Sequence, residues 1–111
     1  MTLIIKSLDP FKKEVKKLAK RYKQISLDLK NLQSRLVDDP KAGISVGGNC
    51  YKIRLANSSV PVGKSGGFRV VYYYIDQNNT VYLMSIYSKN DYESISESTL
   101  QAILRDNGLL D

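Results

Sequence analysis

Two β-rich runs of the sequence carry a cation at a position where a purely structural strand needs none. Arg69 stands at the start of the run that ends at Ile75, and Lys89 stands at the end of the run that begins at Val81. The polar segment 76–79 separates the runs, so the whole stretch predicts a long β-hairpin. Because antiparallel strands bring the start of one strand beside the end of the next, we expect Arg69 and Lys89 to converge at one edge of a sheet.

A further β-rich run at residues 50–55 adds Lys52 and Arg54, which share a strand face because they are two positions apart. The predicted sheet surface is therefore basic and rich in tyrosine, in a chain that has no histidine and no tryptophan. Ammonium and guanidinium groups bind phosphate through charge-assisted hydrogen bonds. Together these cations predict a phosphate-binding site on the sheet.

The first part of the chain predicts a short strand and helices. Residues 2–7 form the strand, and Asp9 followed by Pro10 is a typical helix start, with Asp9 as the cap. Apolar residues then recur at helical spacing. Ser26 and Asp28 resemble a second N-cap, which favours two helices in a hairpin over a single long helix.

The second part of the chain predicts strands and a final helix. Loops at 40–49 and 57–67 flank the run at 50–55, and the hairpin follows. Residues 92–107 have the apolar spacing of a helix. The order β-α-α-β-β-β-α predicts an α+β fold, in which an N-terminal strand and a two-helix hairpin precede an antiparallel sheet and a C-terminal helix. Residues 1–111 are expected to form a single domain.

The net charge of +6 is unevenly distributed along the chain. Residues 1–41 hold eleven Lys and Arg against five Asp and Glu, whereas residues 42–111 hold six of each. A basic helical half steers a protein toward a polyanion, although any single helix lysine is more often simply solvated. The candidate RNA-binding residues on the first helix and in the second loop are Lys12, Lys13, Lys16, Lys20 and Lys64.

Several classes of function are not expected. No apolar run has the length of a membrane span, and the N-terminus lacks the order of a signal peptide. The single cysteine, Cys50, fits a reducing cytosol, so we expect a cytoplasmic protein without a membrane partner. Asp91 and Glu93 form the closest acidic pair near the site, and no His or Cys cluster accompanies them, so no metal or other cofactor is expected. Lys64 precedes two glycines, but a strand follows instead of the helix of a nucleotide-binding loop.

Three strand motifs occur in order along the chain: YKIRLA at 51–56, GKSGGFRVVYY at 63–73 and VYLMSIYSKN at 81–90. This ordered set resembles the RelE/ParE toxin superfamily, and within it the RelE and HigB-type mRNA interferases. The resemblance covers nearly the whole chain. It implies a RelE-like α+β endoribonuclease that enters the ribosomal A site, cuts the bound mRNA and inhibits translation. It also implies a cognate antitoxin as a partner, in addition to the ribosome and mRNA.

Metal-independent RNA cleavage needs a base for the 2′-hydroxyl, cations for the phosphate and an acid for the 5′-oxygen. The resemblance assigns Lys52 as base or transition-state stabiliser, with Arg54 beside it. Arg69 matches the arginine that follows the family's glycine turn, and Lys89 stands where RelE toxins carry an arginine near the last strand. The position of the family's catalytic tyrosine holds another residue here. Tyr92 is the candidate to stack on a base, and packing of Tyr92 at a helix start is the alternative.

Two other functions remain open for the same fold. A ParE-type toxin acts by binding gyrase, and it would not need the Lys52, Arg54, Arg69 and Lys89 set. A non-catalytic RNA-binding module would need cations but no cleavage geometry. The joint presence of these cations at the family's positions argues against the ParE-type toxin, whereas the search for cut mRNA in translating ribosomes separates the enzyme from the RNA-binding module.

Overall fold

A computed structural model describes residues 2–60, 67–89, 91 and 94–110. The strands are β1 (Ile4–Ser7), β2 (Ile44–Gly47), β3 (Cys50–Leu55), β4 (Phe68–Ile75) and β5 (Thr80–Ser88). The helices are α1 (Asp9–Leu18), α2 (Ile25–Asp38) and α3 (Glu97–Asp106), with a 3₁₀ turn at Asp76–Asn78. The predicted α+β class is confirmed.

The strands form one five-stranded sheet in the order β1-β5-β4-β3-β2. The strands from β2 to β5 pair antiparallel, and β4 and β5 form the predicted hairpin. β1 pairs with β5 in parallel, from Ile4 opposite Thr80 to Ser7 opposite Leu83. α1 and α2 carry the chain from β1 at one edge of the sheet to β2 at the other edge. The sheet is therefore mixed, with the N-terminal strand at one edge.

The two-helix prediction is confirmed, because residues 19–24 separate α1 from α2. The predicted caps are wrong. Leu8 is the N-cap of α1, so Asp9 lies inside the first turn, and Gln24 is the N-cap of α2. None of the described helices combines the length and apolar character that a bilayer-spanning helix needs.

Asp28 is a buried carboxylate of α2 and has no capping role. It is 1% exposed and accepts the backbone N–H of Ser58 at 3.1 Å and 3.3 Å. Its position, three residues after Ile25 and four before Leu32, places it on the buried side of the helix. The carboxylate thus fixes the loop that follows β3 against α2.

The segment before β3 and the start of the last helix differ most from the sequence prediction. The predicted loop 40–49 contains β2, an exposed edge strand that turns into β3 through residues with positive φ at 47–49. Its four residues, ISVG, alternate apolar and polar side chains, but so short a run that ends at glycines predicts a loop. The last helix starts at Glu97 and not at residue 92, because the Ser96 hydroxyl accepts the N–H of Thr99 at 3.2 Å and caps it.

Apolar residues bury both faces of the sheet. One cluster joins the sheet to α1 and α2 and includes Phe11, Leu32, Ile53, Phe68 and Val70. The other joins the opposite face to α3 and includes Cys50, Val71, Tyr87, Leu100 and Ile103. The second face is hereafter called the α3 face, and it carries the cations described below.

Candidate functional site

β3 and β4 bring their cations side by side. Arg54 lies directly opposite Arg69 in the antiparallel register, and Lys52 lies opposite Val71. The neighbours Ile53 and Val70 pack toward α1 and α2. Because strand residues alternate between faces, Lys52, Arg54 and Arg69 belong to the α3 face, as their spacing predicts.

Arg69 is the least exposed cation of this group. It is 8% exposed, and its Nη1 donates to the Phe68 carbonyl at 3.2 Å. Within the described part of the chain, neither Arg69 nor Arg54 has a carboxylate within 4.0 Å. A buried unpaired cation is costly, and like charges directly opposite across strands repel. An anion placed between the two guanidinium groups would relieve both costs.

Lys89 follows β5 immediately, at the end of the sheet where β4 begins. Its backbone N–H donates to the Gly67 carbonyl at 3.1 Å, and Lys89 is exposed to solvent. Arg69, which pairs with Tyr87, and Lys89 therefore lie at the same end of the sheet. A side chain on Gly67 would start 2.8 Å from the Leu55 carbonyl oxygen, so this close approach of β3 requires glycine.

The other predicted residues are not part of this group. Tyr92 and Lys64 lie outside the described residues. α1 packs on the sheet face opposite to the α3 face, so the structure does not bring its lysines together with Arg69. The α1 segment and the residues after it expose four of the predicted RNA-binding side chains, Lys12, Lys13, Lys16 and Lys20.

Glu14 on α1 is a partly buried polar residue that contacts the edge of β5 and that no sequence motif indicates. Its Oε1 accepts the Ser85 hydroxyl at 3.0 Å and the Ile86 backbone N–H at 3.1 Å. β1 pairs with β5 only as far as Leu83, so the carboxylate binds the β5 edge just beyond β1. Burial raises the pKa of Glu14, while these hydrogen bonds and the charge of Lys17 act in the opposite direction.

The helical spacing contains an indication of this role. Glu14 stands three residues after Phe11 and four before Leu18, both of which are buried. A carboxylate inside the apolar stripe of a helix needs hydrogen-bond donors from the element against which that helix packs. The sequence could therefore have predicted a buried contact for Glu14, although not its partner strand.

A cavity of about 510 Å³ opens beside this carboxylate. Its charged lining residues are Glu14, Lys17, Arg21 and Asp91, and Ile86 and Tyr87 also line it. Arg21 lies 3.4 Å from the Asp91 carboxylate and donates to the Tyr22 hydroxyl at 2.6 Å. Within the described residues, no three His, Cys, Asp or Glu side chains are grouped so that they could hold a metal ion.

No protein-family model matches the sequence. The isolated E. coli RelE toxin is 25% identical, with 94% of this chain and 98% of that chain covered and a TM-score of 0.58. A doubly substituted variant of E. coli RelE in the free state is 20% identical, with coverages of 96% and 98% and a TM-score of 0.61. A chain of the intact E. coli RelBE toxin–antitoxin complex is 24% identical, with coverages of 76% and 93% and a TM-score of 0.56. The chain therefore has the RelE toxin fold that its three strand motifs predict.

Proposed function

We propose that this protein is the toxin of a type II toxin–antitoxin module and that it cleaves mRNA in the ribosomal A site. The observation that carries the proposal is the pairing of Arg54 with Arg69. Arg69 is nearly buried, and neither arginine has a carboxylate partner among the described residues. A phosphodiester supplies the missing negative charge. The RelE toxin fold, with these cations at the end of its sheet, supports the same function.

In the proposed reaction the 2′-oxygen of one ribose attacks the adjacent phosphorus, and the bond from phosphorus to the 5′-oxygen breaks. Arg69 and Arg54 hold the phosphate oxygens, where negative charge increases in the transition state. Lys52 takes the 2′-hydroxyl proton or stabilises the transition state, and Lys89 assists the leaving 5′-oxygen. The step produces a 2′,3′-cyclic phosphate and a free 5′-hydroxyl, and it consumes no water.

The remaining predicted residues bind the substrate in this proposal. Tyr92 stacks on a base of the codon, and Lys64 contacts the RNA backbone. The exposed α1 lysines do not border the cation group, so they contact phosphates of the ribosome or of mRNA beyond the cleaved bond. The protein acts in the cytoplasm, where translating ribosomes occur.

Induction of the protein in bacteria is expected to stop translation before any other major synthesis. Cleavage of A-site codons removes intact mRNA directly, whereas gyrase poisoning would first damage DNA replication. The two mechanisms are separated by measuring, in parallel after induction, the incorporation of labelled amino acid into protein and of labelled thymidine into DNA. Early loss of thymidine incorporation with continuing translation would favour a gyrase-binding toxin and contradict the proposal.

The proposed partner is an acidic antitoxin that neutralises the basic surface. E. coli RelE is known in complex with an antitoxin and with an antitoxin peptide, which supports such a partner here. An acidic segment that folds on binding could neutralise the toxin by displacing α3 from the sheet or by covering its cations, Lys52, Arg54, Arg69 and Lys89. The exposed α1 lysines would then attract it electrostatically.

Charge reversal on α1 is expected to slow association with the antitoxin. Replacing Lys13, Lys16 and Lys20 by Glu should lower the association rate constant by about tenfold or more, with the larger loss at low salt. Stopped-flow mixing at several salt concentrations measures this rate constant. A variant with an equal charge change at exposed positions elsewhere, K6E/K30E/R105E, is the control. An association rate constant that changes neither with the α1 reversals nor with the salt concentration would show that the antitoxin binds an apolar surface instead.

A further inference from the structure

Lys89 lies in a turn that few contacts hold in place. Its backbone N–H donates to the Gly67 carbonyl, and the Asp91 backbone N–H donates to the Ser88 carbonyl at 2.9 Å, so the chain turns directly after β5. Within the described residues, no hydrogen bond or ion pair holds the Lys89 ammonium group itself. The position of this side chain therefore depends on how firmly the backbone of the turn is held.

Arg21 reaches this turn from the segment that joins α1 to α2. Its Nη1 lies 3.4 Å from both carboxylate oxygens of Asp91. Of the two ion pairs among the described residues, this is the one that ends directly beyond β5. The contact joins residues 70 positions apart in the sequence, so it attaches the turn to the helical side of the protein.

Arg21 is itself anchored on the core. Its Nη2 donates to the Tyr22 hydroxyl at 2.6 Å, and its guanidinium carbon lies 4.9 Å from the centre of the Tyr22 ring. Tyr22 is buried and packs edge to face on Phe68, with the ring centroids 5.4 Å apart. Phe68 is fully buried, and its carbonyl accepts the Arg69 guanidinium. One buried ring thus supports Arg21 and belongs to the strand that carries Arg69.

We propose that Arg21 is a positioning residue, which holds the turn through Asp91 and so places Lys89 at the bound phosphate. The inference rests on the proposed function for the role of Lys89 at the leaving 5′-oxygen. Arg21 lies on the helical side of the sheet, opposite to the α3 face, so it acts on the reaction through the turn and not by contact with the phosphate. A reacting group that is displaced by a small distance loses much of its effect on the rate.

The exposure of the ion pair sets the size of the expected effect. The Arg21 side chain is 56% exposed and that of Asp91 is 35% exposed. Such a pair shifts a local equilibrium by up to about fivefold and contributes little to the stability of the whole protein. Loss of Arg21 should therefore loosen the turn without unfolding the protein. This combination distinguishes a positioning residue from one that the fold requires.

Amide hydrogen exchange, followed by NMR, tests the contact without any cleavage. In Arg21→Gln the Lys89 and Asp91 amides should exchange about threefold to fivefold faster, while amides in the sheet interior and the melting temperature stay unchanged. Lys41→Gln is the matched control, because it breaks another exposed ion pair, to Asp76 at 3.0 Å, at the opposite end of the hairpin. The control should leave both amides unchanged. Unchanged exchange in Arg21→Gln, or faster exchange throughout the sheet, would overturn the inference.

Cleavage of ribosome-bound mRNA gives the second readout. Arg21→Gln should lower kcat about threefold to fivefold and leave KM unchanged. Asp91→Asn should have the same effect, and the double variant should lose no more than either single variant. Arg21→Gln should also cause no further loss in a Lys89→Ala background. Additive losses in either combination would show that Arg21 acts separately from the turn, and they would overturn the inference.

The inference and the proposed function fail in different ways. Unchanged exchange together with normal cleavage in Arg21→Gln would overturn the inference and leave the proposed function intact. Full cleavage by Lys89→Ala would overturn the inference as well, because the turn would then hold no reacting group. Faster exchange of the two amides, without cleavage by any variant or by the wild-type protein, would support the hold of Arg21 on the turn and contradict the proposed function.

Discussion

Replacing Arg69 by alanine is expected to lower mRNA cleavage about a hundredfold or more and to relieve growth arrest. Removing one donor that stabilises transition-state charge usually costs that much in rate. Arg69 is 8% exposed and lies opposite Arg54, so its loss removes one of the two guanidinium groups that the proposal places on the phosphate. Cleavage rates with ribosome-bound mRNA, together with growth after induction, measure the effect.

The stability of the same variant separates a binding role from a structural one. Arg69→Ala removes a buried cation that has no described carboxylate partner, so the melting temperature should stay the same or rise. Arg69→Lys keeps the charge but loses the forked donors, and it should recover only part of the activity. Arg105→Ala, at an exposed position on α3, is the matched control. A folded Arg69→Ala variant with full toxicity would show that the proposed site is wrong.

Cleavage is expected to depend on the ribosome by a factor of more than a thousand. The chain has no histidine, and the proposal assigns a single side chain, Lys52, to the 2′-hydroxyl. Correct orientation of reacting groups is worth up to about 7–11 kcal/mol. The ribosome should supply that orientation by holding the codon. Initial rates on naked and on ribosome-bound mRNA measure the factor, and rapid, selective cutting of naked mRNA at physiological salt would contradict it.

Spacing along the strands predicted two parts of the cation group, the common face of Lys52 and Arg54 and the nearness of Arg69 to Lys89. β3 has the predicted bounds, and the two-residue interval between Lys52 and Arg54 fixes their common face. The turn at 76–79 fixes which ends of β4 and β5 meet. These features are local, so the sequence specifies them directly.

The features that the sequence did not predict depend on contacts between distant segments. Parallel pairing of β1 with β5 joins residues more than seventy positions apart. β2 is only four residues long and all of its residues are exposed, as Ile44 at 76% exposure illustrates, so it is recognised as a strand only through its pairing with β3. Glu14 and Asp28 interrupt apolar stripes, and their donors come from β5 and from the loop after β3. The burial of Arg69 likewise follows from packing that no local pattern shows.

The most direct test of the account is to map the ends of mRNA in purified ribosome complexes that hold a defined codon in the A site. With wild-type protein we expect new 5′-hydroxyl ends within that codon, and none when the ribosome is left out. The Arg69→Ala variant, shown to be folded, should produce these ends about a hundredfold more slowly. Translation that stops while the mRNA stays intact in these complexes would contradict the central claim that the protein is a ribosome-dependent endoribonuclease.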